Sequence, residues 1–330
     1  MMPESSIQRS TELDVELLRG LRERLPPFNS VVQAPPEMAL YHHRYGLGSY
    51  FSEQCQYCAG TLQSGEFELV VQHWRLEQSQ GTLLLVHGFT DHTGLFKHLI
   101  AWGLSEGWDV LIFDLPGHGL SSGEPLVIDD FADYAFAVRD VIAAADINGP
   151  LWVMAQSTGG AAVIEYARHC GGPGQWPFVA TVLLAPLIQP SAWRLIKRAS
   201  YLLQHFVDGV PRKLLRNTSD GAFLKVLKND PLQADRTPLR WIVALRKWLS
   251  NLDPVDLGVG PALVIQGDND ATVDWRYNMP VIEKLFPGSY IEYLPGAGHQ
   301  LANEAAPVRA DYLARVHSWL DERGMNICAF

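Results

Sequence analysis

The stretch Leu151–Gly160, LWVMAQSTGG, places Ser157 in the kind of turn that makes a serine nucleophilic. Its first four residues predict a short buried strand, and residues 161–169 predict a helix. A serine on a tight strand-to-helix turn is exposed at the end of a sheet, where it can attack a carbonyl carbon. Such a turn strains the backbone and needs small residues two positions before and after the serine. Ala155 and Gly159 meet that requirement.

A serine hydroxyl alone is a poor nucleophile. Ser157 therefore needs a base, and the base needs a group that fixes its tautomer and stabilises its positive charge. In a parallel sheet with helices, such side chains lie just beyond the carboxyl ends of the strands. Asp270 follows the predicted strand Ala262–Gln266, and His299 follows the predicted strand Ser289–Leu294. We therefore predict a catalytic triad of these three residues.

Other ionisable residues near strand ends compete for the same roles. Asp268 and Asp274 flank Asp270 in sequence, and Asp274 is the next candidate for the acid. His87 and His118 are expected to hold loops by hydrogen bonds, and Asp114 is expected to anchor its own turn. The histidines without a surrounding motif, His92 among them, are interpreted as surface or packing residues.

The elements that must position these side chains alternate along the chain. A hairpin of Tyr57–Leu62 and Phe67–Leu76 is predicted to come first. The other predicted strands are 82–86, 109–113, 151–154, 179–184, 262–266 and 289–294. The predicted helices are 95–104, 130–145 with Asp129 as its cap, 161–169, 275–286 and 307–322. Strands that are apolar throughout, alternating with helices, indicate an α/β fold with a mostly parallel sheet covered by helices on both faces.

The alternation stops over residues 187–252. Three amphipathic helices are predicted there, at 191–207, 220–228 and 238–249, with no strand between them and with Thr237 as the cap of the third. We predict an inserted helical cap, or lid, above the serine. Residues 56–186 and 253–330 then form the core, and residues 1–55 form an N-terminal extension. Within that extension, residues 1–40 are expected to be a weakly structured leader, although Glu12–Leu25 has helical spacing.

These motifs resemble the α/β-hydrolase fold family, specifically its branch of monoacylglycerol lipases and lysophospholipases. The matching pieces, which together cover roughly residues 60–320, are LVHGF (85–89), DLPGHGLSSG (114–123), AQSTGG (155–160), GDND (267–270) and GAGH (296–299). Ala155 departs from the glycine of the family pattern but is still small. The resemblance implies the triad Ser157, Asp270 and His299. It also assigns the oxyanion hole to the backbone N–H groups of Phe89 and Thr158, and we add the Thr158 hydroxyl as a candidate third donor.

Composition and missing motifs exclude several classes of partner. A formal net charge of −10 argues against nucleic acid. Cys55 and Cys58 form a lone CxxC with no second pair, and clustered metal ligands are absent, so we predict no metal. With neither a GxGxxG nor a Walker pattern, we also predict no nucleotide cofactor. The first 14 residues resemble no signal peptide and no apolar run spans a bilayer, so we expect a cytoplasmic protein with reduced thiols.

Charge is distributed unevenly along the chain. Residues 187–252 carry 12 Lys/Arg and 4 Asp/Glu, whereas the remainder carries 14 and 32. A basic, amphipathic cap on an acidic body predicts attraction of anionic substrates or transient contact with an anionic lipid surface. Apolar residues of the cap favour an acyl-chain substrate; they are Trp193, Leu202, Leu203, Phe206, Trp241 and Trp248.

The sequence predicts a serine carboxylic-ester hydrolase that works through an acyl-enzyme. By the resemblance, monoacylglycerols and lysophospholipids are the expected small-molecule substrates. One alternative is an aminopeptidase or amidase of the same fold, and another is a non-enzymatic binding protein on a hydrolase scaffold. Acyl chain length, oligomeric state and the choice between hydrolysis and acyl transfer stay open.

Overall fold

An eight-stranded sheet forms the centre of the protein. The computed structural model describes residues 17–18, 20–28, 38–48, 55–171, 174–212 and 216–325. The strands of the main sheet are β1 Cys55–Ser64, β2 Phe67–Leu76, β3 Thr82–Val86, β4 Asp109–Phe113, β5 Leu151–Gln156, β6 Phe178–Leu184, β9 Leu263–Gly267 and β10 Tyr290–Leu294. Their order is β1-β2-β4-β3-β5-β6-β9-β10. β2 pairs antiparallel with β1 and β4, and the other pairs are parallel.

Helices cover both faces of this sheet. They are α1 Met38–Tyr45, α2 Lys97–Ser105, α3 Ala132–Ala144, α4 Thr158–Cys170, α5 Trp193–Leu203, α6 Gly221–Lys228, α7 Leu239–Asn251, α8 Trp275–Leu285 and α9 Ala306–Asp321. Side chains of α3, α4, α7 and α8 form the core on one face. Those of α1, α2, α6 and α9 form the core on the other. Every residue of β3, β4 and β5 is buried, so the predicted mostly parallel sheet covered on both faces is confirmed.

Two predicted helix caps are wrong. α3 begins at Ala132, and its N–H bonds to the Asp130 carboxylate at 3.0 Å, while Asp129 pairs with Arg240 at 2.6 Å. α7 begins at Leu239 without a side-chain cap. Thr237 instead lies in a short strand. In both places the residue nearest the expected boundary was engaged by a partner distant in sequence.

The segment between β6 and β9 contains two short strands as well as three helices. β7 Gly209–Pro211 and β8 Arg236–Pro238 pair antiparallel, so the prediction of no strand there is wrong. Three-residue strands have no hydrophobic alternation long enough to be seen in sequence. β6 and β9 pair directly, Val182 opposite Leu263, so the whole segment leaves and re-enters the sheet at one place.

The described part of the N-terminal extension is packed, contrary to the expected weak structure. Leu18, Leu21 and Met38 are at most 2% exposed. Residues 26–28 lie along the outer edge of β1, where Phe28 N–H donates to Thr61 O at 2.8 Å. This contact covers backbone groups of an edge strand that would otherwise be open to another chain. Of the helical spacing over Glu12–Leu25, residues 12–16 and 19 lie outside the described residues, and 22–24 form a 3-10 turn.

Among the described helices, none combines the length and the apolar character needed to cross a membrane.

Candidate active site

Ser157 occupies a strained turn between β5 and α4. Its backbone has φ 52° and ψ −115°, a conformation that non-glycine residues rarely adopt. The helix starts at the next residue, so the strand and the helix must pass close to each other. A Cβ on Gly159 would collide with the carbonyl oxygens of Val86 and His87 in β3 and the loop after it, which explains the small residue at this position. The turn presents the Ser157 side chain at the carboxyl edge of the sheet.

Ser157, His299 and Asp270 lie in hydrogen-bonding contact. Ser157 Oγ is 2.9 Å from His299 Nε2, and His299 Nδ1 is 2.7 Å from Asp270 Oδ2. All three residues are at least nine-tenths buried. With the Nδ1 proton donated to the carboxylate, Nε2 presents its lone pair to the serine hydroxyl. The arrangement can therefore remove the serine proton as the oxygen attacks.

Asp270 is held as a carboxylate. Its Oδ1 accepts hydrogen bonds from the N–H groups of Thr272 at 2.7 Å and Val273 at 3.1 Å. Burial alone would raise the pKa of Asp270, but His299 and these backbone donors bring it below the ordinary value. The ionised form is the one that can stabilise an imidazolium.

The two rival aspartates are engaged elsewhere. Asp274 accepts from Tyr277 N–H at the start of α8, at 3.3 Å. Asp268 accepts from Gly296 N–H at 2.6 Å and is exposed. The geometry therefore joins Asp270, rather than its neighbours, to His299.

His87, His118 and Asp114 hold loops, as predicted. His87 Nε2 accepts from Leu115 N–H at 2.9 Å, and His118 Nδ1 donates to Pro116 O at 2.8 Å. The Asp114 carboxylate accepts the N–H groups of Thr93 and Leu120 at 2.7 and 2.8 Å. These bonds fix the loops after β3 and β4 against each other, beside the serine.

Phe89 and Thr158 lie on the two segments that meet at Ser157. A Cβ on Gly88, the residue before Phe89, would be 3.2 Å from Ser157 Cβ, so the loop after β3 passes directly over the turn. The Phe89 N–H makes no hydrogen bond with the described residues, and the Thr158 N–H, as the first of α4, has no helical carbonyl one turn before it. The Thr158 hydroxyl is also buried without a partner among the described residues. Such donors suit a developing oxyanion.

An acidic residue that no sequence motif singled out lies close to the turn of the serine. Asp91 is 2% exposed, and its Oδ2 and Ser157 Cβ both lie within 3.2 Å of the point that a Cβ on Gly88 would occupy. Its Oδ1 accepts from Gln300 Nε2 at 2.8 Å. Burial raises the pKa of Asp91. The available signal was positional, because Asp91 follows the predicted strand 82–86 and Gln300 directly follows His299.

His92 belongs to a second buried histidine–aspartate pair. Its Nε2 is 2.8 Å from Asp230 Oδ2, and both side chains are almost fully buried. Asp230 Oδ1 accepts from the Tyr45 hydroxyl at 2.7 Å. The pair thus joins α1 of the extension, the loop after β3 and the segment between α6 and β8.

Metal ligands do not cluster anywhere in the described part of the chain. Cys55 and Cys58 are three residues apart on β1, so they face opposite sides of the sheet. Cys55 packs against one core and Cys58 against the other. The CxxC pattern therefore brings no two sulfurs together at this strand.

The chain is similar to known hydrolases in sequence and in fold. The model of the Hydrolase_4 family, described as serine aminopeptidase S33, matches residues 77–306. The chain is 27% identical over 280 residues to monoglyceride lipase of Mus musculus, covering 77% of this chain and 87% of that one. It is 24% identical over 266 residues to phospholipase YtpA of Bacillus subtilis, covering 76% and 98%. A soluble variant of monoglyceride lipase from Saccharomyces cerevisiae has a similar fold, with a TM-score of 0.67 at 21% identity, covering 80% and 94%.

Proposed function

Because the chain belongs to the Hydrolase_4 family, serine aminopeptidase S33, we propose that Ser157, His299 and Asp270 are the catalytic triad of its reaction. The protein is a serine ester hydrolase, lipase- or esterase-like, with the α/β-hydrolase fold. The observation that carries the proposal is the continuous contact from Ser157 Oγ through the imidazole to Asp270.

The proposed reaction has two halves. Ser157 Oγ attacks the ester carbonyl carbon while His299 Nε2 takes the serine proton, and Asp270 stabilises the imidazolium. The carbonyl oxygen becomes an oxyanion that accepts from the N–H groups of Phe89 and Thr158. The C–O bond to the alcohol breaks as His299 returns its proton to the leaving oxygen. Water, deprotonated by His299, then attacks the acyl-enzyme. The bond from the acyl carbon to Ser157 Oγ breaks as His299 returns the proton to Oγ, and the carboxylic acid is released.

We propose that the leaving alcohol carries further hydroxyl groups. Asp91 supports this, because its Oδ2 is an acceptor without a hydrogen-bond partner among the described residues, next to Ser157. We place the acyl chain beside the Phe89 ring, which stacks on Trp241 of α7 with ring centroids 4.0 Å apart. Monoacylglycerols fit both features. The names of the lipase and phospholipase relatives are consistent with this substrate class.

A substrate panel tests this proposal. The purified protein is assayed with monoacylglycerols and lysophospholipids over a series of acyl chain lengths, with methyl esters of the same acids, and with aminoacyl p-nitroanilides. We expect the glycerol esters to have the highest kcat/KM and Ser157→Ala to abolish turnover of every ester. Faster cleavage of the p-nitroanilides would favour an aminopeptidase, and no cleavage of any compound would favour a binding protein.

We propose that α5 and the turn after it touch an anionic lipid surface. Their apolar side chains are unusually exposed: Leu195 is 70% exposed, Leu202 71% and Phe206 83%. Basic residues share the helix; they are Arg194, Lys197 and Arg198. Apolar groups that enter the head-group region beside cations that face anionic lipid are typical of interfacial helices.

Vesicle sedimentation tests that contact. We expect the wild type to bind phosphatidylglycerol vesicles more than phosphatidylcholine vesicles, and the double variant Leu202→Ser/Phe206→Ser to bind neither. Val255, which is 55% exposed outside this surface, gives the matched control Val255→Ser. Equal binding by wild type and double variant would contradict the proposed contact.

A further inference from the structure

A chain of three buried polar side chains lies beside the nucleophile. Gln156 is the last residue of β5, immediately before Ser157, and its Nε2 donates to Gln300 Oε1. Gln300 Nε2 donates to Asp91 Oδ1 at 2.8 Å. The three side chains belong to residues that are at most 4% exposed. Buried polar groups are costly unless they are paired, so these hydrogen bonds fix the orientation of the three side chains.

The direction of these hydrogen bonds is set by one backbone group. Ala302 N–H donates to Gln156 Oε1 at 2.8 Å, and a backbone N–H can only donate. The amide of Gln156 must therefore turn its NH₂ toward Gln300. Gln300 then accepts with its oxygen and turns its own NH₂ toward Asp91. The final group, Asp91 Oδ1, can only accept.

This direction determines what Asp91 can do. Its Oδ1 is occupied by Gln300, so the carboxylate is held in one orientation, with Oδ2 3.1 Å from the point that a Cβ on Gly88 would occupy in the loop over Ser157. A fixed acceptor binds a substrate hydroxyl without first losing rotamer freedom. Without the Gln300 bond, Asp91 loses the side-chain hydrogen bond that fixes the orientation of its carboxylate.

We propose that Gln300 is a positioning residue, held by Gln156, that fixes the Asp91 carboxylate as the acceptor for a hydroxyl of the leaving alcohol. The inference rests on the proposed ester hydrolase function. In this proposal, Gln300 helps the enzyme to prefer a polyol ester over a simple alkyl ester, although its side chain does not touch the substrate.

The first test compares two esters of one acid. Gln300→Met keeps a similar length and removes both polar atoms. We expect KM for the monoacylglycerol to rise about tenfold more than KM for the methyl ester, as one hydrogen bond to a charged acceptor is weakened. Gln72→Met is the matched control, because Gln72 is fully buried in β2, where it accepts from Tyr57 OH. We expect it to leave the ratio of the two KM values unchanged.

A double variant separates positioning from general damage. Asp91→Asn removes the charged acceptor, so adding Gln300→Met to it is expected to change the KM ratio by less than twofold. The inference would be overturned if Gln300→Met raised KM equally for both esters. It would also be overturned if the effects of Gln300→Met and Asp91→Asn on the KM ratio were fully additive. If the wild type hydrolyses neither ester, the proposed function itself fails, whereas active wild type with an unchanged KM ratio in Gln300→Met overturns only the role of Gln300.

A pH profile gives a readout that a purely structural role would not change. Burial raises the pKa of Asp91, and the groups that face it, Gln300, Arg212, His92 and His299, lower it. Gln300→Met removes the first of these, so Asp91 is expected to take up its proton at higher pH. Effects of pH that are common to both esters cancel in the ratio of their KM values. We expect the acid limb of this ratio to move to higher pH, and an unmoved limb would contradict the proposal.

Discussion

Two histidine–aspartate pairs, both buried, have almost the same nitrogen–oxygen distance but use different ring nitrogens. His299 Nδ1 is 2.7 Å from Asp270 Oδ2, and His92 Nε2 is 2.8 Å from Asp230 Oδ2. The partner of the remaining ring nitrogen also differs. His299 Nε2 faces the hydroxyl of Ser157, whereas His92 Nδ1 accepts from Gly94 N–H at 3.2 Å.

The comparison teaches that a histidine–aspartate pair is a candidate base only when its second nitrogen faces a group that must lose a proton. The His92 pair is saturated, because Asp230 also accepts from the Tyr45 hydroxyl and from Leu232 N–H. Its contacts connect α1, the loop after β3 and the segment between α6 and β8. We therefore propose that His299 is the catalytic base and that His92 stabilises the fold.

The largest expected effect separates the two histidines directly. His299→Gln removes the base, so we expect kcat to fall about 10⁶-fold, as is typical when a member of such a triad is lost. His92→Gln is expected to keep kcat within about tenfold and to lower the melting temperature. Ester turnover and thermal unfolding of the two variants check this prediction. A comparable loss of kcat in both would remove the distinction.

The second-largest expected effect is a difference in kcat between variants of Asp270 and Asp230. Asp270→Asn keeps the shape of the side chain but favours the wrong tautomer of His299, so kcat should fall by about 10⁴-fold. Steady-state kinetics on a single p-nitrophenyl ester give the value. Asp230→Asn on the same substrate is the control, and the prediction requires its kcat to stay far above that of Asp270→Asn.

Asp230→Asn should instead reduce stability, and the reduction should depend on pH. Burial alone would raise the pKa of Asp230, but His92 and the Tyr45 hydroxyl lower it to about 2. A lowered pKa gives stability that is complete above the ordinary value of 3.8 and is lost as pH falls toward 2. We expect the free energy of unfolding to drop by about 3 kcal/mol at pH 7.

Urea unfolding at pH 7, 5, 4 and 3 measures that loss. Burial lowers the pKa of His92, but Asp230 brings it above the ordinary value, so the gap in free energy of unfolding between wild type and Asp230→Asn should be at least as large at pH 5 as at pH 7. It should narrow below pH 4, as Asp230 of the wild type begins to protonate. A gap that stays constant down to pH 3 would show that the carboxylate charge of Asp230 contributes nothing.

The smallest expected effect concerns the surroundings of the active pair. The Thr158 hydroxyl is buried and has no hydrogen-bond partner among the described residues, although its neighbour is the nucleophile. If it donates to the oxyanion, Thr158→Val should lower kcat about tenfold, the value of one modest hydrogen bond. KM should not change, since the bond forms only in the transition state. Unchanged kcat in Thr158→Val would restrict the oxyanion hole to backbone donors.

The features that could be predicted from the sequence depend on residues that are close together along the chain. The apolar strand before Ser157, the small residues of its turn, and the polar residues directly after two later strands are patterns within a few positions. The strands β3 and β4 were predicted to the residue for the same reason. Because parallel strands bring their carboxyl ends to one edge, local patterns were sufficient to bring Ser157, Asp270 and His299 together.

What could not be predicted depends on contacts distant in sequence. Gln300 and Asp91 are 209 residues apart, and Gln156 and Gln300 are 144 apart. The position of Asp91 after the predicted strand 82–86 places it near the edge of the sheet, but no local pattern shows that it is buried and bonded to Gln300. The pairing of β7 with β8 and the packing of the extension on β1 are of the same kind, since each gains its stability from a partner that periodicity does not reveal.

The most direct test of the central claim is the site of covalent labelling by a fluorophosphonate, mapped by mass spectrometry of the digested protein. We predict one phosphonate adduct on the peptide that contains Ser157, present in the wild type and in Asp230→Asn, and absent in Ser157→Ala. An adduct on any other residue, or undiminished labelling of Ser157→Ala, would contradict the assignment of Ser157 as the nucleophile.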